Sequence, residues 1–348
     1  MSTVPADGGR PPTLEQVARY AGVSRSTVSR VINAVPTVAP EIRETVERAI
    51  AATGYVPNLA ARSLVTRRTD SVAIVISEPD RTSGTPFLNR MFTDPYVGRV
   101  TAGAQEVLLP RNIHLVVIPV DPPARHLVLR YLRQGHVDGV LLVSSHVDDP
   151  MPGLLGELDI PTVLSARPGD PVRASYVDVD QRAGARLAVE HLIGRGCRRL
   201  ATICGPLDMT AGQDRLAGFR AALLGYAQPD PPVVEADFTR AGGEAAARKL
   251  LAGHPDVDGL FVANDLMAEG AVRAVRELGR TVPDDVAVVG FDDSSAAVES
   301  HPALTTIRQP VEEMAAEMAR LLLARIRDPH RLSRAILFHP TLVVRASA

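Results

Sequence analysis

Arg25, Ser26, Ser29 and Arg30 fall within six residues and, at helical spacing, share one face opposite Val28, Val31 and Ile32. Two guanidinium groups and two hydroxyls on an exposed helix face are suited to holding a polyanion. The surrounding chain has the same bias. Residues 1–68 carry nine arginines against five acids, whereas the rest is acid-rich and the whole chain has a net charge of −2. A basic head on an acidic body points to a polyanionic partner for the head alone. A chance excess of surface arginine is the alternative, and Lys249 is the only lysine in the chain.

These residues need a scaffold, and the sequence supplies three short helices. Thr13-Leu14-Glu15-Gln16 reads as a capping box, followed by Leu14, Val17, Ala18 and Ala21 at helical spacing. Gly22 closes that helix and Ser24 can cap the next. Pro40 suits the first turn of a third, in which Ile42, Val46, Ala49 and Ile50 face inward until Gly54. Two helices about a tight turn, completed by a third, predict a helix-turn-helix whose second helix would lie in a DNA major groove. A generic helical hairpin with solvated arginines is the competing reading.

Beyond residue 70 the chain alternates strands and helices. Strand candidates are Val72–Ser77, Ile113–Val120, Gly139–Val143, Thr162–Leu164, Arg199–Cys204, Val233–Ala236, Gly259–Ala263 and Val286–Gly290. Helical patterns include Gln181–Gly194, Asp214–Leu224, Gly242–Leu251 and Asp265–Leu278. This predicts an α/β body of parallel sheets covered by helices, with ligands bound beyond the carboxyl ends of the strands.

Several classes are excluded. The 348 residues, 45% hydrophobic and 22% charged, describe a globular protein of two to three domains. Apolar runs are strand-sized, and Met1–Pro12 lacks an apolar signal core, so neither a membrane span nor secretion is expected. Cys197 and Cys204 fit neither a disulfide scaffold nor a zinc pattern, which suits a cytoplasmic protein. There is no GxGxxG after the first strand, no GxxxxGK[ST], no HExxH and no GxSxG. The nine histidines lack metal-ligand spacing. No catalytic residue, metal or cofactor is expected, and the chain is not read as an enzyme.

The stretches Thr13–Ser24, Thr27-Val28-Ser29-Arg30-Val31-Ile32-Asn33, Gly54-Tyr55-Val56-Pro57-Asn58 and Ala60-Ala61-Arg62-Ser63-Leu64 resemble the head and hinge of the lactose repressor (LacI/GalR) family of bacterial transcription regulators. The resemblance implies base readout by Arg25, Ser26 and Arg30, and phosphate contacts from Thr13, Ser24, Thr27, Asn33 and Tyr55. An arginine so placed can donate twice to the O6/N7 edge of guanine. Ala39 departs from the pattern, because relatives place a Ser or Thr cap there. Asn58 can cap a hinge helix through Ala61 to Leu64, too short to be stable alone in water. By the resemblance Leu64 is a minor-groove wedge, although it could instead pack within the linker.

The same resemblance implies an architecture: a disordered tail over 1–12, a helix-turn-helix domain over 13–56, a hinge over 57–69 and an effector-binding and dimerisation body over 70–348. That body would be two-lobed and periplasmic-binding-protein-like, with lobe 1 about 70–177 and 309–336, and lobe 2 about 178–308 and 337–348. Around Asp214–Phe219, Val262–Asp265, Gly290–Asp293 and Thr305–Gln309 the match is closest. It implies effector contacts from Arg215, Asn264 and Asp292, a stacking face at Phe238, and Gln309 on the cleft wall. Arg215 and Asp292 could equally form an ion pair bracing the cleft, and Phe238 and Phe291 could simply pack in the core. Asp293 reads as structural. From the first lobe, Phe92 and Tyr96 could stack on a sugar or cover the core. Ala166 and Met209 stand where some relatives carry a carboxylate and an arginine, and the latter lowers the expectation of a purine.

The expected function is thus a repressor controlled by a sugar-like effector. Its expected partners are a pseudo-palindromic operator and a second copy of itself, because one recognition helix reads only a few base pairs and the wedge needs a twin. No heptad extension that would build a tetramer is expected after Leu342–Ala348. A body unresponsive to ligand, or co-repression by a non-sugar, are the alternatives.

Overall fold

The computed structural model describes residues 12–32, 35–56, 68–78, 93–143, 146–226 and 231–348. They form two compact units, residues 1–69 and 70–348.

The first unit holds α1 (Leu14–Ala21), α2 (Arg25–Ile32) and α3 (Pro40–Thr53). The capping box is in place: Thr13 N–H donates to Gln16 Oε1 at 2.7 Å, and Gln16 N–H donates to the Thr13 hydroxyl. Gly22 ends α1 at φ 67°, a left-handed turn that a side chain would strain. At α2, Ser24 Oγ accepts from Thr27 N–H at 3.1 Å. α3 starts on Pro40 with no side-chain cap from Ala39. Val17, Ala18, Val28, Val31, Val46 and Ala49 are buried together, with Tyr55 packed against them.

The second unit contains two six-stranded sheets. The first has the order β11-β5-β4-β3-β1-β2 and the second β12-β10-β9-β8-β6-β7. In the first are β1 (Ser71–Ser77), β2 (His114–Val120), β3 (Gly139–Val143), β4 (Thr162–Leu164), β5 (Ser175–Val179) and β11 (Ala335–Phe338), all parallel. In the second are β6 (Leu200–Cys204), β7 (Val233–Glu235), β8 (Gly259–Val262), β9 (Ala287–Asp292), β10 (Thr305–Arg308) and β12 (Thr341–Val343). Only β12 runs antiparallel there, against β10. The chain therefore passes between the sheets three times, after β5, β10 and β11.

The helices of this unit are α4 (Pro95–Leu108), α5 (Arg125–Arg133), α6 (Met151–Glu157), α7 (Gln181–Gly194), α8 (Thr210–Leu224), α9 (Arg240–Gly253), α10 (Asp265–Glu277), α11 (Ser295–Glu299) and α12 (Val311–Arg327). α4 and α12 pack so closely that a side chain at Gly103 would collide with the Glu312 backbone. α12 returns to the first sheet, whereas α7 lies on the second.

The strands β5, β10 and β11 were not among the candidates. Each is four or five residues long. Polar residues interrupt β5 and β10, and β11, although apolar throughout, lies at a sheet edge with alternating exposed and half-buried positions. The expected lobe boundaries at 177 and 336 fall inside β5 and β11. The Val179–Phe338 pairing carries both strands two residues further before the chain crosses.

Candidate functional site

On the head, Arg25, Ser26 and Arg30 are exposed along α2. Arg25 forms an exposed ion pair with Glu15 of α1 at 2.9 Å, a contact of little stabilising value that leaves the guanidinium available to a ligand. Ser24 Oγ lies 2.8 Å from both Ser26 Oγ and Thr27 Oγ1. Thr13 is exposed, while Tyr55 is half-buried against the small core. The structure thus brings one face of hydroxyls and guanidinium groups to the amino end of α2. Asn33, the hinge residues Asn58, Ala61 and Leu64, and Phe92 lie outside the described residues.

In the second unit, polar residues gather beyond the carboxyl ends of β6, β8, β9 and β10. Arg215, on α8, is 5% exposed. Its Nε donates to Gln181 Oε1 at 2.8 Å and its Nη1 to the Ala263 carbonyl. Its Nη2 stands 3.5 Å from Asp292 Oδ1. The guanidinium lies over the Phe291 ring, 3.7 Å from its centroid, with Phe238 at 5.9 Å. Phe291 is fully buried, and is core. Phe238, at φ 63°, has its ring against Gly205, where any side chain would strike it. It is half-buried and so both packs and offers a face.

Asn264 caps α10. Its Oδ1 accepts from Met267 N–H at 2.9 Å, and its Nδ2 donates to the Phe238 carbonyl at 3.0 Å. Asp292 ends β9 at φ 107°, a strained conformation for a residue with a side chain. Burial pushes its carboxyl up to about 7, against the pull of Arg215. Desolvation likewise lowers the Arg215 pKa. Asp265 is fully buried behind it, where it accepts from the Thr306 hydroxyl (2.6 Å) and Ser294 N–H (2.7 Å); burial raises it to about 6. Asp293 has a structural role, gripped by Arg308 at 2.7 Å and Arg345 at 2.6 Å. Despite the burial, these two bonds hold its carboxyl below the usual range.

From the first lobe, Tyr96 packs against that lobe's core and lines the cleft together with Asp94, Arg99, Asn264, Asp292 and Ser294. Burial, Asp178 and neighbouring carboxylates raise its phenol above the ordinary value. Gln309 is 4% exposed at the crossover after β10.

Three features escaped sequence reasoning. Arg99 makes a bidentate pair with Glu312 (2.7 and 2.8 Å) and donates to the Asp292 and Gln309 carbonyls at 2.9 and 3.1 Å. His146 Nδ1 lies 2.6 Å from Asp208 Oδ2, and Val147 N–H donates to the Asp208 carbonyl, so the lobes touch there. Arg167 reaches across to Asp214 at 2.9 Å. Each partner is at least 47 residues away in sequence, and no local spacing announces such contacts.

Among the described residues no helix is long and apolar enough to cross a membrane. Residues 13–58 match the family of bacterial regulatory proteins, lacI family, and residues 189–348 match the periplasmic binding protein-like domain. The HTH-type transcriptional regulator CelR of Thermobifida fusca is 49% identical over 322 residues, 91% of this chain and 92% of that protein. The structure of a transcriptional regulator CelR–cellobiose complex matches with a TM-score of 0.76 at 44% identity, covering 97% of this chain and all of that one. The lac repressor dimer bound to operator and the anti-inducer ONPF matches with a TM-score of 0.82 at 27% identity, covering 97% and 99%. This chain belongs to the LacI family of bacterial regulatory proteins, and it is a DNA-binding transcriptional regulator rather than an enzyme.

Proposed function

We propose that this protein is a cytoplasmic, dimeric repressor whose grip on a pseudo-palindromic operator is released by a sugar held at Arg215, Asn264 and Asp292, with Phe238, Tyr96, Phe92 and Gln309 around it. The observation that carries this reading is the state of Asp292: it is placed at the carboxyl end of a parallel strand, and among the described residues its oxygens accept no hydrogen bond, with Arg215 at 3.5 Å. Such a carboxylate suits vicinal hydroxyls. The solved CelR–cellobiose complex makes cellobiose the first sugar to try.

In this reading Arg25, Ser26 and Arg30 read bases, while Thr13, Ser24, Thr27, Asn33 and Tyr55 hold phosphates. Residues 13–56 are the reading domain and 57–69 the hinge, in which Asn58, Ala61 and Leu64 engage the minor groove. The remainder is the effector and dimerisation body. A sugar shifts the operator equilibrium only by binding one lobe arrangement better than the other.

Operator affinity measured with and without cellobiose tests this, using Asp292→Ala and Arg30→Ala. Asp292→Ala is expected to keep operator binding and lose the sugar response, and Arg30→Ala to do the reverse. Tighter operator binding with sugar would make the sugar a co-repressor, and loss of both activities in both variants would end the division of labour.

A further inference from the structure

We infer that His146 and Asp208 form a latch that holds the two lobes together before any effector arrives, and so raises the affinity of the cleft for an effector that needs them together. The second half of this inference rests on the reading of the cleft as a sugar site.

His146 stands beyond the carboxyl end of β3 in the first lobe, and Asp208 beyond that of β6 in the second. An ionised carboxylate only accepts, so the imidazole Nδ1 carries the proton and donates to Asp208 Oδ2 at 2.6 Å. The other ring nitrogen faces Glu78 Oε2, of its own lobe, at 4.0 Å. The imidazole, 10% exposed, thus sits between carboxylates from the two lobes, where a charge-assisted bond is stronger than in water. Backbone joins at the same place. Val147 N–H donates to the Asp208 carbonyl at 2.7 Å, and His146 pairs with Met209 in an isolated antiparallel bridge.

Each half of this seam is fixed to its own lobe. In the first, Val147 packs on Gly169 so closely that any side chain at 169 would strike it. In the second, Leu207 N–H donates to Glu235 and the Leu207 carbonyl accepts from Gln213, both at 2.9 Å. The contact therefore ties lobe to lobe rather than loop to loop.

Its place gives it leverage. The chain crosses between the lobes after β5, β10 and β11, and β3 is two strands from β5 while β6 is three from β10. These are about 10 and about 14 Å at the usual strand spacing. A lobe rotation of about 15° about the crossovers moves a point at the larger distance by about 4 Å, enough to break every bond in the seam. Arg167, which reaches Asp214 at 2.9 Å, follows β4, only one strand from β5. Arg99 donates to the Asp292 carbonyl but is held at Gln309 and Glu312, beside a crossover. Those two contacts have the shorter lever. Neither His146 nor Asp208 is among the residues proposed to hold the sugar, so both are positioning residues that act through lobe closure.

The test is hydrogen exchange on the full chain without ligand, with cellobiose titration alongside, for wild type, His146→Ala, Asp208→Ala, the double variant and His146→Gln. The wild-type Val147 amide is expected to be protected. Either alanine should speed its exchange, and that of residues 207–210 across the seam, by about tenfold or more, since a hydrogen bond to a charged group is lost. The double variant should exchange no faster than either single one. Glutamine can still donate to Asp208 and should restore most of the protection. Cellobiose affinity should fall by about tenfold in the alanine variants, in step with the exchange, and Arg167→Ala should do less by both measures. Wild-type exchange in the alanine variants, or additive effects in the double variant, overturns the latch. Faster exchange with unchanged cellobiose affinity overturns its role in binding. If cellobiose does not bind the wild type, the sugar reading fails, while exchange still decides the latch.

Discussion

Arg30 and Arg215 are the same side chain in opposite circumstances. Arg30 is exposed on α2, projecting from a face the small core does not use. Arg215 is 5% exposed and is held by Gln181, the Ala263 carbonyl and Asp292. The head keeps its proposed reading residues and its core on separate faces of its helices. In the cleft the groups proposed to bind are also tie-points of the fold, so a ligand there would compete with or complete bonds the protein makes to itself. This difference can be broken experimentally.

The largest effect should come from Arg215→Ala. It leaves the half-buried Asp292 without its nearest counter-charge and removes the donor from Gln181 and Ala263. Breaking a buried pair in this way costs about 3–5 kcal/mol, read as a lower urea midpoint for the body. Wild-type stability in this variant would mean that Arg215 is not a tie-point and that the comparison is wrong. Arg30→Ala is the matched experiment on the head. Stability should stay within about 0.5 kcal/mol, while operator affinity falls by about 1–3 kcal/mol if Arg30 makes a bidentate base contact. Melting curves and gel-shift titrations on the two variants decide both halves together.

The same difference explains what could be read from sequence. The head was legible almost residue by residue, because caps, turn and apolar spacing act within four positions: Thr13 with Gln16, Gly22, and Ser24 with Thr27. The α/β alternation was legible too, since buried parallel strands such as β1 and β9 are apolar runs. The cleft was legible only through its resemblance to a family. Its logic lies in contacts such as Arg99 with Glu312 or Arg215 with Gln181, which join residues 213 and 34 positions apart. The Glu15–Arg25 pair on the head escaped as well, although capping and helical spacing place both residues near the turn.

A pH series sharpens the comparison further. Burial raises Asp292 to about 7 and Asp265 to about 6, while an unfolded aspartate titrates near 3.8. Between these values the unfolded chain has released protons that the folded body retains. These two groups therefore make the body less stable as pH rises from about 4 to about 7, with no further change from them above that. Asp292→Asn should make that decline shallower in urea midpoints taken across the range. The head has no buried carboxylate among its described residues, so its melting should not share the trend. If the sugar donates to ionised Asp292, sugar affinity should rise over the same interval.

The smallest effect belongs to the head and tests whether its stability is separable from recognition even at a helix end. α1 and α2 begin on side chains that accept first-turn amides, and α3 begins on Ala39, which cannot. Ala39 already has the extended backbone of a capping residue, φ −57° and ψ 143°. Ala39→Ser should therefore add a hydrogen bond without moving the chain, stabilising the head by about 1 kcal/mol. Operator affinity should not change, because α3 supports α2 through the buried Val46 and Ala49 and through Arg43, which donates to the Val35 carbonyl at 3.1 Å, and the new cap alters none of these. A rise in melting temperature accompanied by altered operator binding would show that the start of α3 sets the presentation of α2, and the head would then resemble the cleft, with binding and folding sharing the same groups.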